Sequence, residues 1–239
     1  SINPFNRGPD RPCIFDRIYF ASPDSIVGKK TVYTYRKSLG EQLANENSVT
    51  ADVVVPIPDS GVSAAIGFSQ KSSIPFELGI IRSHYVGRTF IEPSQTIRQF
   101  GVKLKHSVNK SCIENKKVIL IDDSIVRGTT ASKIVKMVYE AGAKEVHLGI
   151  SCPPIMHPDF YGIDTPNYNE LIASQSNLNE MTKLVGAKSL FFLSLAGTYK
   201  AMGCDKRNPI TPQFTDHCFT GEYPIDVSEI LEINKEINE

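Results

Sequence analysis

Through the middle of the chain, short runs of β-branched and aliphatic residues alternate with longer amphipathic stretches, and that alternation restricts the fold more than any other feature. Ala51-Asp-Val-Val-Val-Pro-Ile-Pro, Lys117-Val-Ile-Leu-Ile and Val146-His-Leu-Gly-Ile-Ser read as strands covered on both faces, because their apolar residues run on without a polar alternation. Before the first run, Tyr35, Leu39, Leu43 and Ala44 recur at helical spacing. Ser60-Gly-Val-Ser-Ala-Ala-Ile-Gly-Phe-Ser-Gln reads as a second helix, entered from a tight turn. A third runs on from Thr130, with Ile134, Val135, Val138 and Tyr139 inward and Gly142 as its stop. Pro75-Phe-Glu-Leu-Gly-Ile-Ile reads as a further strand. Strand–helix–strand units of this kind build a three-layer α/β domain: an open, mostly parallel sheet of about five strands, joined by right-handed crossovers. After Pro153-Pro154 the pattern changes to an irregular stretch up to Tyr168, a helix-like SQSNLNEMTKLVGA and an apolar SLFFLSLAGTYKAMG, expected to cover one face of the sheet.

Charge and cysteine usage exclude several functions. Lys plus Arg and Asp plus Glu each number 26, so the formal charge is zero and the broad attraction used by nucleic-acid binders and membrane-surface proteins is missing. No apolar run approaches the ~18 residues of a membrane span. Cys13, Cys112, Cys152, Cys204 and Cys218 are odd in number and scattered, which argues against a disulfide framework and for a reducing, cytoplasmic setting. The amino terminus has no signal-peptide pattern; its Pro- and Gly-punctuated polar chain reads as a linker. The expected organisation is a linker over 1–20, a main domain over 21–205 and a C-terminal helical extension over 206–239.

Chemistry concentrates in Val118-Ile-Leu-Ile-Asp-Asp-Ser-Ile-Val-Arg-Gly-Thr-Thr. A hydrophobic strand here delivers Asp122 and Asp123 to its carboxyl end, where ligands bind in open α/β sheets. Two carboxylates can accept hydrogen bonds from a pair of ribose hydroxyls or recruit a divalent cation. The following helix start offers free backbone N–H groups to a phosphate, Gly128 permits close approach, and Thr129 and Thr130 add hydroxyl donors. An acidic helix entry favoured by the dipole would need only one Asp. Pro58-Asp-Ser-Gly, also between strand and helix, is either a second anion-binding turn or a plain cap. The stretch from Arg82 to Lys105 is locally basic, with Glu92 its one acid, and is longer than the usual 2 to 6 residue connection, so it reads as a functional loop or a solvated excursion.

The Asp-Asp-to-Gly-Thr-Thr segment resembles the phosphoribosylpyrophosphate (PRPP) loop of the type I phosphoribosyltransferases. Similarity extends to Cys13-Ile-Phe-Asp-Arg-Ile-Tyr-Phe, Pro56-Ile-Pro-Asp-Ser-Gly, His84-Tyr-Val-Gly-Arg-Thr-Phe-Ile-Glu-Pro, Tyr161-Gly-Ile-Asp and Cys218-Phe-Thr-Gly-Glu-Tyr-Pro, which look like the glutamine PRPP amidotransferase family. The resemblance implies the type I fold and a flexible lid over Arg82–Lys105, with Arg82, Tyr85, Arg88, Arg98, Lys103 and Lys105 its matching polar positions. It implies PRPP held by Asp59, Ser60, Gly61, Ser124, Val126, Arg127, Gly128, Thr129 and Thr130, and Mg²⁺ held by Ser60, Asp122 and Asp123. Catalysis falls to Asp122, Asp123, Arg82, Tyr85 and Lys103. The reaction implied is displacement of pyrophosphate from PRPP by ammonia, giving 5-phosphoribosylamine, the first step of de novo purine synthesis. The usual ammonia source is a glutaminase domain, expected to be missing here because the chain enters at the linker. A homo-oligomer is also implied.

Members of that family often carry a four-cysteine iron–sulfur cluster. Here Cys13 and Cys218 match two ligands, Asp159 stands where a third is expected and Thr215 stands three before Cys218, so no cluster is expected. Two other readings compete. A non-catalytic PRPP sensor would often lose the pyrophosphate and lid elements, which persist here. A nucleobase salvage transferase would need a base-binding hood in place of this tail.

Overall fold

The computed structural model describes residues 10–82, 106–163, 165 and 167–230. Helix α1 (Val32–Glu46) starts where the Thr31 side chain accepts the Thr34 N–H, and buries Tyr35, Leu39 and Leu43 on one face as the spacing requires. Strand β1 (Val53–Pro56) is buried throughout and feeds α2 (Val62–Ser72). Two short strands, β2 (Ile80–Arg82) and β3 (His106–Val108), pair antiparallel. Then come β4 (Lys117–Asp122), α3 (Thr129–Glu140), β5 (Glu145–Ile150), α4 (Leu178–Val185), β6 (Ser189–Phe192), α5 (Leu195–Ala201) and α6 (His217–Thr220).

The main sheet has four strands in the order β1-β4-β5-β6, parallel throughout. Helices α1, α2 and α5 pack together on it, and α3 and α4 form a second group, which gives the three layers. Val118, Ile119, Leu120 and Ile121 are at most 1 % exposed, so both faces of β4 are sealed. Each such side chain is worth about 1.5–3 kcal/mol on burial, enough to hold the strand that carries the acidic pair.

Two expectations are corrected. The strand expected over 75–81 shrinks to a single parallel bridge, Phe76 to Val54, followed by β2, which leaves the main sheet and pairs with β3 instead. Pro75 can offer only its carbonyl, taken by the Val54 N–H, and Leu78 and Ile81 are exposed, so an apolar run did not here mean a buried strand. Conversely, the tail does not only cover the sheet: Ser189–Phe192 joins it as the β6 edge, with Leu148 opposite Leu190. The stretch expected as linker also contributes to the core, where Ile14, Phe15 and Ile18 are buried. No helix among the described residues is long and apolar enough to cross a membrane.

Candidate active site

Because β1 and β4 are neighbours with Pro56 opposite Ile121, the turns that follow them face one another at the carboxyl edge of the sheet. Between these turns lies a cavity of about 420 Å³ lined by Ser60, Asp122, Asp123 and the run Ser124–Ala131. It thus gathers Ser60, Asp122, Asp123, Ser124, Val126, Arg127, Gly128, Thr129 and Thr130 in one place.

The acidic pair is poorly partnered for its depth. Asp122 Oδ1 accepts the Asp123 N–H at 2.9 Å and the Ser60 hydroxyl at a long 3.4 Å, and Asp123 Oδ1 accepts the Ser124 hydroxyl. Burial, reinforced by the charge of Asp123, pushes the Asp122 carboxyl well above the usual range. Burial also raises Asp123, against the pull of Ser124, Ser60 and the Arg36 guanidinium. Two desolvated carboxylates side by side favour a proton or a cation between them.

On the opposite side, α3 starts at Gly128, whose φ of 74° lies in the left-handed region, and no side chain caps the helix. Its first N–H groups therefore have no partner within the helix and lie at the cavity with Thr129 and Thr130. Arg127 pairs with Glu170, and the Val126 carbonyl accepts the Ile172 N–H, so just before α3 the loop is tied to the 170–172 segment.

In the turn after β1, Gly61 does not line the cavity. Its N–H is donated to the Ile57 carbonyl, and a Cβ there would meet the Ile121 carbonyl oxygen at 2.2 Å, so only glycine lets α2 start this close to β4. Asp59 meets Arg82 rather than the cavity, with Nη1 2.6 Å from Oδ2 and both side chains more than half exposed. Tyr85, Arg88, Arg98, Lys103 and Lys105 lie outside the described residues.

The residues missed in the sequence reading form the third side of the cavity. Phe15, Tyr19 and Phe20 line it, with Ile155 and Ile163 beyond them. Phe15 precedes, and Tyr19 and Phe20 close, a single π-helical turn, Asp16–Phe20, inside the stretch expected as linker. The i, i+4 spacing of Ile14–Ile18 and Phe15–Tyr19 was the available signal, masked by the Pro and Gly around it.

Nearby, the four positions compared with cluster ligands lie in one region but act as joints. Cys13 bridges Thr215, whose hydroxyl donates to the Arg11 carbonyl. Asp159 Oδ1 accepts the N–H groups of Tyr161 and Ile163 at 2.8 and 2.9 Å, and Oδ2 meets His217 Nε2 at 2.6 Å. Burial pushes the Asp159 carboxyl up, but these bonds outweigh it and leave it below the usual range. Burial raises the thiols of Cys13 and Cys218, as befits inert side chains.

Residues 36–158 match the family model described as phosphoribosyl transferase domain. The chain is 61% identical over 217 residues to an amidophosphoribosyltransferase of Rhizobium etli, covering 90% of this chain and 44% of that protein. It is 51% identical over 220 residues to a chloroplastic amidophosphoribosyltransferase of Glycine max, covering 92% of this chain and 38% of the relative. Among solved structures, glutamine PRPP amidotransferase from B. subtilis, complexed with ADP and GMP, superposes with a TM-score of 0.85 at 47% identity, over 94% of this chain and 49% of that one. The chain spans less than half the length of these relatives. It belongs to the phosphoribosyltransferase family, and within that family its similarity is to the amidophosphoribosyltransferases.

Proposed function

We propose that this chain carries the phosphoribosyl-transfer site of an amidophosphoribosyltransferase, with PRPP and ammonia as substrates. One observation supports this above all: a buried, under-partnered acidic pair faces an uncapped helix start across a single cavity. The α3 N-terminus and the Thr129 and Thr130 hydroxyls suit the 5-phosphate, Asp122 and Asp123 the ribose hydroxyls, and the Ser60 turn the pyrophosphate. Displacement then breaks the anomeric C–O bond, forms a C–N bond to ammonia with inversion, releases pyrophosphate and passes one proton from the ammonium product to solvent. Positive charge developing on the ribose is stabilised by the two carboxylates, and the apolar side of the cavity keeps water away.

The donor set fits Mg²⁺. Among the described residues no three His, Cys, Asp or Glu side chains converge on one metal position. A cation at Asp122, Asp123 and Ser60 would thus take its other ligands from PRPP and water, as Mg²⁺ commonly does. When bound, it supplies neutralisation of the leaving pyrophosphate. The donor set at Cys13 and Cys218 does not fit an iron–sulfur cluster, because both Asp159 oxygens are occupied and Thr215 is tied to backbone. A glutaminase domain is the proposed ammonia source in the whole protein.

The test incubates the chain with PRPP, Mg²⁺ and ammonium at alkaline pH and measures pyrophosphate. Release that depends on ammonia supports the reading; release only with a purine or pyrimidine base overturns it.

A further inference from the structure

Arg36 belongs to none of the site motifs, yet it is a fully enclosed charge beside the site. It lies in the second turn of α1 and is 5% exposed. Its Nε donates to the Arg17 carbonyl at 3.2 Å, and its Nη2 donates to the carbonyls of Tyr19 and Ala21, both at 2.7 Å. These carbonyls belong to Arg17 and Tyr19 within the Asp16–Phe20 turn and to Ala21 just after it, acceptors that so short a helical segment leaves without partners of its own. One planar cation therefore fixes the backbone that carries Tyr19 and Phe20. Those two rings are about half exposed and line the cavity, so packing alone does not hold them. The guanidinium is also close enough to Asp123 to favour its ionised form. Arg17, on the neighbouring turn, is engaged elsewhere, with its guanidinium 4.8 Å from the Phe214 ring centroid.

We propose that Arg36 is a positioning residue for the acceptor side of the site, its fork of N–H groups holding the Tyr19–Phe20 wall against the acidic pair. The inference rests on the transfer reading above. If the helix start takes the phosphate, the Ser60 turn the pyrophosphate and the carboxylates the ribose, the aromatic wall is the side left for a small neutral nucleophile. Its placement then sets how well ammonia competes with water. A lysine keeps the charge but cannot satisfy three carbonyls in a plane.

Arg36→Lys and Arg36→Gln, made in the full chain, test this with two readouts. The first is pyrophosphate release with and without ammonium, beside Mg²⁺–PRPP affinity. Both variants are expected to keep PRPP affinity within about twofold, while the ratio of ammonia-dependent to ammonia-independent release falls roughly tenfold or more, as a small misplacement of a reacting group would cause. The second does not need turnover. The chain has no Trp, so Phe20→Trp gives a single emitter on the wall. Adding Arg36→Lys is expected to shift its emission to the red and open it to a soluble quencher. An unchanged ratio with unchanged emission overturns the proposal, as does an equal loss of PRPP affinity and ammonia use, or a failure of both variants to fold. If the parent chain binds PRPP without ammonia-dependent release, the transfer reading fails, while the emission comparison still decides whether Arg36 places the wall.

Discussion

Two sets of buried carboxylates are treated in opposite ways by this fold. At the C-terminal joint, Asp216 accepts the Tyr199 hydroxyl at 2.8 Å and two donors of Arg207 at 2.7 and 3.2 Å, and Asp159 has three partners of its own. At the sheet edge, Asp123 is just as enclosed and Asp122 partly so, but the pair have one backbone N–H, two serine hydroxyls and each other. A buried acid that serves as a joint is given a full set of donors; one whose partners arrive with a ligand is left short of them. The difference separates architecture from function without reference to any relative.

The largest effect expected from breaking this contrast is at the edge. Replacing Asp122 and Asp123 together by Asn should lower Mg²⁺-dependent PRPP turnover by about a thousandfold or more, the scale of removing preorganised electrostatic stabilisation, measured as pyrophosphate release; stripping divalent cations with a chelator should do the same to the parent chain. At the joint, Asp159→Asn should leave PRPP affinity unchanged but cost roughly 1.5–3 kcal/mol of stability, the worth of hydrogen bonds to a charged group, read from urea unfolding. The pH dependence sharpens this. Since the folded state lowers the Asp159 carboxyl, its stabilisation is present above the ordinary Asp value of about 4 and is lost as pH falls through the lowered value. The gap in urea midpoint between parent and Asp159→Asn should therefore narrow on acidification.

Smaller effects run the other way. The folded state raises Asp122, so its ionisation opposes folding above the unfolded value, and Asp122→Asn alone should raise stability at neutral pH by about 1 kcal/mol while impairing turnover. Asp59→Asn removes only an exposed pair with Arg82 and should change stability by less than about 1 kcal/mol. Thermal melts of both proteins without ligand check these signs.

How much of this was legible in the sequence follows from how local each signal is. Helix α4 is written in full, with Asn177 and Glu180 forming a reciprocal cap and Gly186 at φ 76° ending it. The buried β4 run and its two acids are equally local. The antiparallel pairing of Ile80–Arg82 depends on residues 106–108, and the edge strand Ser189–Phe192 is a serine and three apolar residues shortly before a helix, so neither can be read from its own stretch. The aromatic wall was hidden for a different reason: Pro and Gly near the amino terminus signalled linker, and the Arg36 contacts that order the segment come from 15 to 19 residues away. The incomplete partnering of Asp122 and Asp123 is likewise invisible until the partners can be counted.

The most direct test of the central claim is calorimetric titration of Mg²⁺–PRPP into the parent chain, the Asp122→Asn/Asp123→Asn variant and Asp159→Asn. The contrast between the two sets of acids requires Mg²⁺-dependent binding that is abolished in the double variant and unchanged in Asp159→Asn. Binding that survives loss of both edge acids, or that falls equally in all altered chains, would contradict it.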